Sequence, residues 1–123
     1  MIYLSLADVF HIHEIMIAHY GGAPGIRDTG LIEAALLRPQ TGYYRDDIEE
    51  AAALWESLAM NYGFVDENKR VAFAVMEIFL DINGIEITAA QEEAEIFIYT
   101  NLEAGTSTKN VLDVWLRENT ATR

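Results

Sequence analysis

Between residues 46 and 62 the apolar residues Ile48, Ala51, Ala52, Trp55, Leu58, Ala59 and Tyr62 recur at a three-four-three spacing. Only an α-helix brings such a series onto one face, so the segment predicts a helix whose stripe, ending on the Tyr62 ring, is turned into a core. The pattern repeats over 67–82 with Ala72, Val75, Met76, Phe79 and Leu80, until Asn83-Gly84 stops it. No run shows the two-residue alternation of a strand. Two long helices with apolar faces must cover each other, which commits the chain to a helical bundle.

The flanking segments read the same way. Ser5 and Asp8 form a capping-box pattern ahead of Leu6, Val9, His13, Met16, Ile17 and Tyr20 at helical spacing. Gly21-Gly22-Ala23-Pro24-Gly25 breaks the chain. A short helix is predicted from Thr29 to Arg38, capped by Asp28 or Thr29 and stopped by Pro39. Thr88 with Gln91 opens a helix to about Leu102, Gly105 closes it, and Ser107 begins a last helix carrying Val111, Val114 and Trp115. The expectation is an all-α, compact single-domain bundle of about six helices over residues 1–123, centred on the 46–62 and 67–82 helices.

At 123 residues the chain suits one core, and no stretch nears the ~20 apolar residues of a membrane span. The N-terminus has no basic region or cleavage site, so no signal peptide is read. The lack of cysteine fits a reducing cytoplasm. A formal charge of −12 disfavours nucleic acid as a partner. It suits a basic protein partner, or serves solubility alone.

Between the two central helices lies Tyr62-Gly63-Phe64-Val65-Asp66-Glu67-Asn68-Lys69-Arg70. A helix start presents unpaired N–H groups and a partial positive charge, so the backbone from Glu67 to Lys69 can cradle a phosphate, with Lys69 and Arg70 as added cations. Asp66 is placed to cap the helix and is the natural ligand for a Mg2+ that also touches nucleotide phosphates. Asn68 can bond phosphate or metal-bound water, and Phe64 reads as an anchor pinning the loop to the core. The plainer alternative is a helix cap followed by solvated charges. His11, His13 and His19 lack the i, i+4 spacing of a helical metal pair, and His13 falls on a buried stripe, so a structural role is expected there. Tyr43 and Tyr44 read as surface packing, with stacking on a base as the alternative.

Phe64, Asp66, Asn68, Lys69 and Arg70, with the apolar helix after them and the GG-x-PG-x-RD stretch of residues 21–28, resemble the Fic/Doc superfamily loop H-x-F-x-[DE]-[GA]-N-[GK]-R. Lys69 brings the chain nearest the Doc toxins of toxin-antitoxin pairs. The resemblance implies the Fic fold, with a flap near residues 20–27 where a target docks and where Arg27 and Asp28 lie. A turn followed by a helix cap is the equal alternative for that pair. It further implies an ATP- and Mg2+-dependent transferase that phosphorylates a Thr of elongation factor Tu and blocks translation. Its implied regulator is an antitoxin that acts through a disordered C-terminal segment. AMP transfer is the second reading within the enzyme class. Two positions depart from the motif: Tyr62 stands where the family has its catalytic His, and Glu67 where it has Gly or Ala. A phenol with a pKa near ~10 is a poor general base at neutral pH, so weak or absent catalysis is expected. A non-catalytic binding protein is therefore the reading from another class.

Overall fold

The computed structural model describes the whole chain except residues 104, 106 and 107, with backbone alone at 102 and 103. Helix α1 spans Leu6–Tyr20, and the Ser5–Asp8 capping box forms, each side chain accepting from the other's backbone N–H. Asp28 caps α2, Thr29–Leu37, by accepting from the Leu31 N–H at 3.1 Å. Pro39 does not end the coil there. A 3₁₀ turn continues over Arg38–Thr41, because a proline in a first turn lacks only an N–H that would go unused.

Helix α3, Asp47–Met60, is capped by Asp46, and α4 spans Asn68–Ile82. These two pack against each other at the centre, with α6, Lys109–Glu118, on the other side of α3 and α1 against α4. Trp55, Val71, Val75, Met76, Phe79 and Leu80 are fully buried between them. Each large side chain so buried contributes about 1.5–3 kcal/mol. Trp55 is the hub of an aromatic group, with Phe73, Phe97 and Trp115 rings 5.4, 5.9 and 5.7 Å away.

The all-α reading holds for the bundle, with one addition. Ile85–Ile87 (β1) pairs antiparallel with Thr120–Thr122 (β2), Ile85 opposite Thr122. Three-residue strands are too short to show a period. The pairing arises because α6 returns the chain beside the Gly84 turn. The Thr88–Gln91 capping box does not form, since α5 begins only at Gln91, running to Glu103. The Thr88 N–H instead extends the sheet by donating to the Asn119 carbonyl at 2.7 Å. Gly105 follows α5 with φ +70°. Ser107 lies outside the described residues, and Thr108 caps α6 by accepting from Val111. Among the described residues no helix is long and apolar enough to cross a membrane.

Candidate active site

Helix α3 stops two residues earlier than its apolar stripe suggests. Asn61 ends it, its N–H donating to the Ser57 carbonyl at 2.9 Å, and Tyr62 takes φ +53°. That left-handed turn rotates the ring off the stripe, so Tyr62 does not pack in the core: it is 52% exposed and faces a cleft. Gly63 follows in a space no side chain fits, because a Cβ there would lie 2.4 Å from Ile32 Cγ1. Phe64 is buried, its ring parallel to His13 at 4.0 Å and edge-on to Phe10 at 6.3 Å.

The segment 21–28 lies along this loop, joined to it by an isolated antiparallel bridge between Ile26 and Phe64. Arg27 and Asp28 N–H groups donate to the Gly63 carbonyl at 2.8 and 2.9 Å, and the Val65 N–H donates to Gly25 at 3.1 Å. The Arg27 guanidinium turns back to the Asn61 and Tyr62 carbonyls, satisfying the end of α3. Gly22 sits at φ +106°, a backbone conformation that residues with a Cβ adopt only against strain, and a Cβ there would also press on Asp66 Oδ2 at 2.9 Å. Asp28 serves as the α2 cap.

Asp66 does not cap α4. Its Oδ2 accepts from the Ala23 N–H at 3.0 Å and its Oδ1 from the Glu67 N–H at 2.9 Å, which turns the carboxylate toward the flap. These two N–H donors, Ala23's foremost, hold the Asp66 carboxyl below its ordinary range, so it is ionised at neutral pH. The N-cap is Glu67, left-handed at φ +63° with no side-chain cap bond. A non-glycine residue pays about 1 kcal/mol or more for that conformation, a physical reason for a small residue there. Asn68, 8% exposed, clamps the loop: its Oδ1 accepts from the Phe64 N–H and its Nδ2 donates to the Phe64 carbonyl, both at 3.0 Å. Its amide, expected to reach phosphate, is thus engaged with the backbone.

The Glu67 N–H, expected in the cradle, is taken by Asp66 Oδ1; the first bond across the start of α4 is Val71 N–H to Glu67 O at 2.9 Å, so the N–H groups left outside the helical ladder are those of Asn68, Lys69 and Arg70. Lys69 makes no ion pair among the described residues. Arg70 is drawn aside: it lies over the Tyr20 ring at 4.0 Å, donates to the Tyr99 hydroxyl at 3.1 Å and pairs with Glu67 at 3.6 Å.

These groups sit at one end of a cleft of about 770 Å³ with Phe73 and Ala74 in its floor and Ala94 and Ile98 in its α5 wall. The size is that of a small-molecule site. Two turns along α4, Glu77 enters the lining, its carboxyl held above the ordinary range by its apolar surroundings and then by Asp81. No group of three or more His, Asp or Glu side chains suited to a metal occurs among the described residues. A single ionised carboxylate beside free N–H groups suits Mg2+ arriving with phosphates and does not suit a resident zinc.

Tyr62, Asp66, Glu67, Lys69 and Arg70 are therefore brought together, whereas Arg27 and Asp28 are tied into the backbone behind them. Tyr43 and Tyr44 do not line the cleft; the Tyr44 hydroxyl accepts from Arg38 at 2.6 Å. Sequence reasoning missed Tyr20, Tyr99 and the link from His13 to the loop. Only Tyr20 carried a local signal, as the last helical residue before the glycine turn.

A model of the Fic/DOC family matches residues 3–80, which include the loop, the flap and nearly all of α4. The chain is 42% identical over 92 residues to Toxin Doc of Mycolicibacterium smegmatis, covering 71% of this chain and 68% of the relative. It is 30% identical over 102 residues to Protein kinase doc of Escherichia phage P1, covering 80% and 81%. From a matching family model and relatives aligned across most of their length, the chain belongs to the Fic/DOC family.

Proposed function

We propose that this chain is a Doc-type toxin of a toxin-antitoxin pair, built to transfer phosphate from ATP to a Thr hydroxyl of elongation factor Tu and so to block translation in the cytoplasm. Tyr62 leaves it attenuated. The observation that carries the reading is the turn at 66–70, where an ionised Asp66, three N–H groups outside the helical ladder and Lys69, which makes no ion pair among the described residues, line one nucleotide-sized cleft. The toxin and kinase names of the two relatives support it.

In this reading the N–H groups of Asn68, Lys69 and Arg70 hold phosphate oxygens, and Lys69 adds a positive charge at the same end. Asp66 would hold Mg2+, which when bound neutralises charge on phosphate oxygens. Asn68 and Phe64 fix the loop, and the flap orders the target backbone beside it. Residue 62 is placed to take the proton of the attacking hydroxyl, a task a phenol performs poorly at neutral pH. The Glu67–Arg70 ion pair, together with Tyr62, favours the second reading, a non-catalytic protein that binds an antitoxin or target.

Nucleotide binding survives better than turnover on this account. Calorimetry should find Mg·ATP bound by the parent chain and bound roughly tenfold or more weakly by Lys69→Ala, the loss of one charge-assisted contact. Equal affinities would remove Lys69 from the phosphate site. The antitoxin's C-terminal segment, disordered when free, should fold as an amphipathic helix in the apolar cleft, its basic side chains meeting Glu77 and Glu95. A titration of that peptide should weaken with added salt, the Debye length being ~8 Å at physiological strength. Absence of binding at low and high salt by a folded protein would reject the toxin-antitoxin assignment.

A further inference from the structure

His13 is a buried polar group for which the phosphotransfer reading has no use. It lies on α1, is 4% exposed, and stacks flat on Phe64 with 6° between the rings. Its Nε2 is 3.1 Å from the backbone carbonyl of Asp66. A carbonyl only accepts, so Nε2 carries the proton and donates. The stack and the hydrogen bond together fix both the distance of the loop from α1 and the direction of the 66–67 peptide.

That peptide decides how the site is set. With its carbonyl turned to α1, its N–H faces the opposite way and meets Asp66 Oδ1, whose partner oxygen holds the Ala23 N–H of the flap. Glu67 is then left-handed, and the next three N–H groups fall outside the helical ladder. A reversed 66–67 peptide would lose the Glu67 N–H bond to Asp66. It would also replace a backbone turn that Glu67 adopts only against strain. The bond from His13 opposes that relaxation.

We propose that His13 is the positioning residue of the anion cradle: it holds the 66–67 peptide in the orientation that aims the start of α4 and the Asp66 carboxylate into the cleft. This rests on the phosphate-binding reading of the same site. One consequence is specific to it. Glycine at 67 adopts the left-handed turn without penalty, so the cradle should depend on His13 more in this chain than in its Glu67→Gly variant.

The test compares the parent chain with His13→Phe, which keeps a ring on Phe64 and removes the donor, and with His13→Gln, which keeps a donor. His13→Phe should weaken Mg·ATP binding about five- to tenfold by calorimetry while circular dichroism and melting show a folded protein. The loss should shrink on the Glu67→Gly background, and His13→Gln should recover part of it. Amide exchange read by NMR should speed up several-fold at Ala23 and Glu67 in His13→Phe. Unchanged Mg·ATP affinity or unchanged exchange at those two amides would overturn the proposal. If His13→Phe does not fold, His13→Gln is decisive in the same way: it must keep slow exchange at both amides. If neither the parent nor Glu67→Gly binds Mg·ATP, the phosphotransferase reading fails, while the exchange measurement still decides whether His13 holds the peptide.

Discussion

Replacing Tyr62 by His, with Glu67 changed to Gly in the same chain, is expected to raise phosphotransfer by ~10²- to 10⁴-fold, the usual contribution of a positioned general base. Tyr62 is already half-exposed and lines the cleft, so an imidazole there replaces a side chain that faces the cleft and not one packed in the core. Glu67→Gly acts separately, removing the carboxylate that pairs with Arg70 and relieving the left-handed strain at that position. The readout is growth arrest on expression together with labelling of a bacterial protein from γ-labelled ATP. Transfer of label from the α-phosphate instead would assign AMP transfer. If the single and double variants give neither arrest nor label, the chain is not a toxin enzyme.

Trp55→Ala should cost about 3–5 kcal/mol of stability, the range for deleting a large buried aromatic ring. Trp55 has no exposed surface and joins Phe73, in the cleft floor, to Phe97 and Trp115. Among the described residues its buried indole N–H finds no hydrogen-bond partner, a standing cost that weakens the case for tryptophan at this place. Trp55→Phe removes that unpaired donor along with part of the ring. It should therefore lose under about 2 kcal/mol, although the cavity term alone predicts more. Urea unfolding of both variants separates the effects. A Phe variant as unstable as the Ala variant would mean that the indole N–H has a partner, such as a buried water.

The helices and several of their caps were legible because those signals are local. Ser5 lies three residues from Asp8, and Asp28 three from Leu31, within reach of one helical turn. What failed depended on distant chain. Tyr62 matched the apolar period of α3, yet a left-handed backbone takes it out, and the carbonyls it leaves are claimed by Arg27, 35 residues earlier. Asp66 has the residue type and place of a cap, but the Ala23 N–H, 43 residues away, draws its carboxylate to the flap. Asn68 is the exception: its partner Phe64 is only four residues away, but an Asn at a helix start gives no sign that its amide will close on the backbone before it. The β1–β2 pair was hidden because Ile85–Ile87 and Thr120–Thr122 are short and meet only after α5 and α6 are in place. That Tyr62 and residues 66–70 come together on one cleft was legible from the motif, whereas the aromatic residues Tyr20 and Tyr99 beside them, and the bonds each group makes, needed the tertiary contacts.

The hydrogen bonding of the 21–28 segment bears on how the protein is cut. Arg27 is the first lysine or arginine in the sequence, so residues 1–26 offer a trypsin-like protease no site. The side chain is exposed, but its guanidinium is bound to the end of α3 and its backbone N–H to Gly63. A protease must seat both side chain and backbone in extended form, so cleavage at Arg27 requires the segment to lift from the loop first. The rate of cleavage at the 27–28 bond, read as a new N-terminus at Asp28, is a clock for flap opening.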